Sequence, residues 1–176
     1  MKFCSNCGNP VKHGPVPNED RPRYFCNHCN TIHYENPNMI VGCLPRWENK
    51  VLLCKRSIEP RHGKWTLPAG FLEIGESVQA GAVRETLEEV NAEVEIVRLF
   101  SIYNLPKWGQ VYLMFLADLS NLNFSAGKET TEARLFKKEE IPWDEIAFGA
   151  VTFTLKQYFE NRDNVQTAAF IGERTS

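Results

Sequence analysis

The sequence predicts an α/β/α sandwich with a mixed sheet between helices, and a small four-cysteine module ahead of it. Three observations lead there. Apolar segments of strand length recur between residues 39 and 136. Two stretches have a helical period, an acidic one at 77–90 and an amphipathic one at 144–160. Two Cys-x2-Cys pairs fall in the first 34 residues, a segment too short for a hydrophobic core.

The 176 residues suffice for one full domain plus an accessory module, and a 43% apolar composition can fill a core. A net charge of −2 gives no electrostatic basis for binding a nucleic-acid backbone or an anionic membrane. No apolar run reaches 18 residues and the first residues, Met-Lys-Phe-Cys-Ser, carry no apolar core of a secretory signal. Of six cysteines, four sit in the two pairs, which reads as metal ligation in a reducing compartment and predicts the cytoplasm.

In chain order, residues 1–34 form the first module. Cys4 and Cys7 are separated by 18 residues from Cys26 and Cys29, a spacing expected of a four-thiolate structural Zn²⁺ site. Such a segment depends on its metal to fold. Four cysteines complete the site, leaving His13, His28 and His33 as bystanders. Met39–Leu44 reads as a buried strand, and Val51–Arg56 as its hairpin partner across a turn at residues 48–50. Cys43 and Cys54 within them read as small core residues. Lys55 and Arg56 leave the second strand, either to reach a phosphate or to be solvated. Trp65–Leu67 reads as a short strand leading to Pro68 and Gly70.

Ser77 is a suitable N-cap for a helix to Val90, and Asn91 a residue able to end it in the left-handed conformation. At about 100° per residue, Val83, Thr86, Leu87 and Val90 fall on one side and Glu85, Glu88 and Glu89 on the other. Three carboxylates so spaced repel one another, whereas a hard divalent cation such as Mg²⁺ seeks a few carboxylates together with substrate phosphates. Arg84 is placed to pair with Glu76. Further strands are expected at 93–103, 110–118 and 133–136, with the loop 104–109 carrying Trp108, which either stacks on a base or flavin ring or covers a core edge. The terminal helix turns Ile146, Val151, Leu155, Tyr158 and Phe159 inward, and the tail 161–176 is expected to be partly loose, with Ala168–Ile171 docking on a partner.

The pattern Gly-x5-Glu-x7-Arg-Glu-x-x-Glu-Glu, at Gly70, Glu76, Arg84, Glu85, Glu88 and Glu89, resembles the Nudix box, and Trp65–Gly70 resembles the approach to it. Asn91 stands where that family normally has Gly, and Thr86 and Ala92 are weak versions of its bulky apolar positions. The resemblance covers roughly 37–160 and implies a Nudix hydrolase domain; the first module resembles the zinc ribbon of NADH pyrophosphatases and their relatives. It implies a catalytic Mg²⁺ or Mn²⁺ held by Glu85, Glu88, Glu89 and the Gly70 carbonyl, oriented by Arg84 and Glu76, with Glu85 or Glu88 as base. It also implies a further carboxylate at Glu132, with Glu129 as second choice; Arg56 and Trp108, read from their own positions, are the candidate substrate contacts.

The reaction implied is hydrolysis of the diphosphate of a small dinucleotide-type substrate to a nucleoside monophosphate and the other phosphorylated half. The chain lacks the Ser-Gln-Pro-Trp-Pro-Phe-Pro stretch of NADH-cleaving members and is similar along its length to plant plastid-type FAD-hydrolysing Nudix enzymes. FAD or ADP-ribose therefore leads, with NADH next, and a non-catalytic nucleotide sensor as the reading of a different class. The resemblance to ribbon-bearing relatives implies a homodimer.

Overall fold

A computed structural model describes residues 1–161 and 168–175. They form two compact units, Met1–Asn36 and Pro37–Ser176.

In the first unit β1 (Lys12–Gly14), β2 (Arg23–Phe25) and β3 (Ile32–His33) make an antiparallel three-stranded sheet. Each Cys-x2-Cys pair lies in a tight turn closed by a backbone hydrogen bond, Gly8 N–H to Cys4 O and Asn30 N–H to Cys26 O, both 2.9 Å. The two turns end on left-handed residues, Gly8 at φ 73° and Asn30 at φ 58°. Asn is the non-glycine residue that most readily takes that conformation.

The second unit contains β4 (Asn38–Trp47), β5 (Lys50–Arg56), β6 (Trp65–Thr66), β7 (Ala69–Phe71), α1 (Val78–Val90), β8 (Val94–Leu105), β9 (Gln110–Leu119), β10 (Thr130–Phe136), α2 (Gly149–Glu160) and β11 (Phe170–Glu173). The sheet runs β10-β5-β4-β9-β8-β11, with β6 beside β5 and β7 beside β4. It is mixed: β4 runs parallel to β9 and β8 to β11, and the other pairs are antiparallel. Alternation along the central strands sorts side chains onto two faces. Val41, Cys43, Phe115 and Ala117 pack with Ala82 of α1. Ile40, Leu44, Tyr112, Met114 and Leu116 pack with Val151, Leu155 and Tyr158 of α2. Leu44, Leu53, Met114 and Leu155 are fully buried, each contributing about 1.5–3 kcal/mol by leaving water. The α/β/α sandwich is the predicted one.

Three expectations need correction. The β4–β5 hairpin is short, pairing only Arg46 with Val51 and Trp47 with Lys50. Beyond it the strands splay, and β4 pairs with β7, which puts Gly70 opposite Val41. Helix α2 begins at Gly149, so Ile146 lies ahead of it, where it caps the 3₁₀ turn Trp143–Glu145 and bridges to Trp65. The segment expected to dock on a partner instead supplies β11, paired in parallel with β8 from Phe170 opposite Ser101 to Glu173 opposite Asn104. The loose part expected after Asn161 falls largely on 162–167, outside the described residues. Among the described residues no helix is long and apolar enough to cross a membrane.

Candidate active site

Helix α1 is built as its caps dictate. Ser77 Oγ accepts from Ala80 N–H at 3.1 Å. At the other end Asn91 takes φ 48°, ψ 31° and its N–H caps the Leu87 carbonyl. The buried side of α1 includes Thr86 and Val90 as expected but is otherwise shifted. Gly81, Ala82, Thr86, Glu89 and Val90 face the sheet, while Leu87 is 50% exposed. Glu89 therefore lies among the buried positions, one turn from the largely shielded Glu85, while Glu88 is exposed.

Arg84 is the hub of the charged positions. It grips Glu76 with two hydrogen bonds, Nε to Oε2 at 3.0 Å and Nη2 to Oε1 at 2.7 Å, and donates from Nη1 to Glu85 Oε1 at 2.7 Å. Nη2 also donates to the Phe71 carbonyl at 3.1 Å, tying the helix to β7. The guanidinium, aided by the Glu73 N–H, holds Glu76 down at about 2. Gly81 makes room for this arrangement, since a Cβ there would stand 2.8 Å from Glu76 Oε1 and 2.9 Å from Val41 Cγ2.

Glu89 is 8% exposed and accepts from the Ala69 N–H at 3.2 Å and the Cys54 thiol at 3.6 Å. Burial pushes its carboxyl up to about 7 against the help of the Ala69 N–H. Burial also raises Glu85, opposed by Arg84. Glu88 is exposed and 3.7 Å from Arg84. With Gly70, Arg84, Glu73 and Glu129, these three acids line one basin. A Cβ on Gly70 would fall onto the Glu85 carboxylate, so the backbone of β7 approaches that acid as only glycine permits. Carboxylate oxygens and a nearby carbonyl are the donor set that hard divalent cations take, so these residues fit one. The three carboxylates do not close on each other: among the described residues, the four cysteines alone form a group of three or more potential ligands within 4.8 Å.

The remaining predicted residues divide. Glu132 is in β10 opposite Lys55, whose ammonium lies over the Trp65 ring on the α2 side of the sheet. Directly paired residues share a face, so Glu132 points away from the α1 acids. A register shift between Thr130 and Glu132 separates it from Glu129, which does line the basin. Arg56 lies between the basin and a second cleft of about 510 Å³, its Nε donating to the Pro60 carbonyl at 2.9 Å and its guanidinium over the Phe148 ring. Trp108 is 48% exposed on that cleft, under Lys107 and Arg174. The cleft's other walls include Arg61, Tyr112 and Phe148, which no motif marks. The two clefts share Arg56, Pro60, Ala69, Gly70 and Phe71.

In the first unit Cys4 Sγ lies 3.6 Å from Cys29 Sγ, and Cys7 Sγ 3.5 Å from Cys26 Sγ. Those separations are near the edge of about 3.8 Å for a tetrahedron of sulfurs around Zn²⁺ at about 2.3 Å, and far from a disulfide bond of about 2.05 Å. The Thr31 hydroxyl, 3.1 Å from Cys29 Sγ, draws that thiol down to about 5, whereas burial pushes the Cys4 thiol up to about 11; a metal takes both as thiolates. His33 stands outside the four-sulfur group, yet it touches one of its members. It is buried with Nε2 3.3 Å from Cys4 Sγ, a position its place in β3 creates and no spacing rule announces.

Comparison with known proteins places the chain in a family. The model described as NUDIX domain matches residues 37–155, and that described as Nudix N-terminal matches residues 2–35. The chain belongs to the Nudix family. A solved structure of a NUDIX hydrolase from Nitrosomonas europaea is 53% identical, superposes with a TM-score of 0.94 and covers 99% of both chains. A Nudix relative named NAD-capped RNA hydrolase NudC, from Vibrio atlanticus, is 31% identical over 96% of this chain. The ADP-ribose pyrophosphatase of Methanocaldococcus jannaschii is 31% identical over 62% of this chain and 67% of its own length. This Nudix chain spans 60% of the length of the Vibrio relative.

Proposed function

We propose that this Nudix protein hydrolyses the diphosphate of a nucleoside diphosphate derivative, with ADP-ribose or FAD as leading substrates, giving AMP and the other phosphorylated half. One observation carries the reading. A buried carboxylate, Glu89, two further acids, Glu85 and Glu88, and a backbone approach at Gly70 line one basin that opens into an aromatic, arginine-bearing cleft. An acid buried at the cost of a pKa near 7 makes sense where a cation compensates it.

Glu85, Glu88, Glu89 and the Gly70 carbonyl are the groups assigned to Mg²⁺ or Mn²⁺. A divalent cation bound there supplies neutralisation of the diphosphate oxygens and acidifies water. Arg84 keeps Glu85 aimed at Gly70 and, through Glu76, fixes the turn that leads into α1. Glu88, the most exposed of the three at 60%, accepts a proton from the attacking water at a carboxylate oxygen. Glu129, in place of Glu132, is the loop carboxylate of this basin. Arg56 stands at the junction, where it contacts the substrate phosphates, and Trp108 with Tyr112 and Phe148 holds a ring of the substrate. Zn²⁺ on Cys4, Cys7, Cys26 and Cys29 is structural, because four thiolates leave no open position. A thiolate set of that kind suits the reducing cytoplasm.

The name of the Vibrio relative supports a second reading, in which an NAD-type dinucleotide is the substrate. Chromatography of products after incubation with Mg²⁺ and FAD, ADP-ribose, NADH or a nucleoside triphosphate decides. AMP with FMN, or AMP with ribose 5-phosphate, is expected. Cleavage of NADH alone selects the second reading, and tight binding without cleavage of any selects a sensor.

A further inference from the structure

Asn91 occupies the position at which this chain departs from the Nudix pattern, and its side chain is engaged. Any left-handed residue would cap α1, and glycine would do so without strain. The Asn91 side chain does more, since Nδ2 donates to Ser125 Oγ at 3.1 Å and faces the Ser125 and Ala126 carbonyls, each at 3.4 Å. All three neighbours are oxygens, which settles which end of the amide faces them.

The segment so held is stitched to the same helix end. Ser125 N–H donates to the Val90 carbonyl and Gly127 N–H to the Glu89 carbonyl, both at 2.9 Å. Gly127 lies so close that a Cβ would collide with the Glu88 carbonyl and stand 2.9 Å from the Glu89 backbone. Two residues on, Glu129 enters the acid basin, its own carbonyl accepting from Ser57 N–H at 2.9 Å. The loop is thus clamped between the C-terminus of α1 and the end of β5, and Glu129 rides on it.

We propose that Asn91 is a positioning residue for the reaction: its amide docks the 125–129 loop on the end of α1 and so holds Glu129 in the basin with Glu85, Glu88 and Glu89. This rests on the hydrolase reading for its kinetic consequence, though not for the docking itself. Asn91→Gly keeps the left-handed cap and removes the amide. Asn91→Asp keeps size and backbone tolerance but has no N–H to donate to the Ser125 and Ala126 carbonyls, retaining at most a bond accepted from the Ser125 hydroxyl.

Both variants are expected to lower kcat on the cleaved substrate about three- to tenfold, the scale of a hydrogen bond or two, with KM little moved. The Tm should stay within about 2 °C. Hydrogen exchange at the Gly127 and Thr130 amides should speed up in both, a readout that needs no turnover. In a Glu129→Gln background, Asn91→Gly should add little, because both changes then remove one contribution. Unchanged exchange at those amides overturns the docking. Faster exchange with unchanged kcat, or a full Asn91→Gly effect on top of Glu129→Gln, overturns the positioning role. Absence of turnover in the unsubstituted protein refutes the hydrolase reading and leaves the exchange measurement to judge the tether.

Discussion

Replacing Glu89 by Gln tests the buried carboxylate quantitatively. In the folded protein without a divalent cation at the basin, burial raises this carboxyl from 4.5 to about 7. At 1.36 kcal/mol per pK unit, that rise corresponds to about 3 kcal/mol. The sign follows from linkage: a group whose folded pKa is raised stabilises fully below the unfolded value, and that stability is lost as pH climbs through the folded one. The unsubstituted protein should therefore lose about 3 kcal/mol between pH 4.5 and pH 8 from this group. Gln carries no charge to bury, and its side-chain oxygen can still accept from the Ala69 N–H. Glu89→Gln should match the unsubstituted protein near pH 4.5 and exceed it by about 3 kcal/mol at pH 8, or roughly 6–12 °C in Tm. Urea unfolding with Zn²⁺ retained and Mg²⁺ and Mn²⁺ removed measures this; added Mg²⁺ should close the gap by stabilising only the carboxylate form. The same variant should lose turnover. Equal stability of the two proteins at pH 8 would refute the burial argument.

Further outcomes follow from neighbouring residues. Arg84 holds Glu76 at about 2, so that pairing contributes stability above about pH 4.5 that is lost as pH falls toward 2; Glu76→Gln should remove this part of the acid limb in pH-dependent unfolding. Gly70→Ala should displace the Glu85 carboxylate and reduce kcat on the order of a hundredfold, seen in steady-state kinetics with the zinc content unchanged. His33→Phe should quicken Zn²⁺ release to a chromogenic chelator on the order of tenfold, since it deletes the ring nitrogen beside Cys4 Sγ.

What could be read from the chain, and what could not, divides by the range of the interactions. Helix α1 was readable because its caps Ser77 and Asn91 and its acids are set by spacing within one turn or a few. The cysteine site was readable for the same reason, two tight turns each supplying two sulfurs. Sheet order was not, since the parallel pairing of β4 with β9 joins segments some seventy residues apart with no local mark. Glu132 stands at the strand entrance where the family resemblance expects a carboxylate, ahead of Glu129; the register shift between Thr130 and Glu132 that separates the two appears only in the paired sheet. Leu87 and Glu89 exchanged faces because α1 packs against β4 and β7 together, which tilts the buried stripe toward the Gly70 backbone. Tyr112 and Phe148 meet Trp108 at one cleft only after β9, α2 and the loop before β9 come together.

The proposed activity depends first on whether the acids of α1 hold a divalent cation. Titration of Mn²⁺ followed by electron paramagnetic resonance, on zinc-loaded protein and on its Glu85→Gln variant, measures that without reference to any substrate. Glu85 lies against Gly70 in the basin, so Mn²⁺ should bind the unsubstituted protein and bind the variant at least about tenfold more weakly. Equal Mn²⁺ affinity in the two proteins would contradict it.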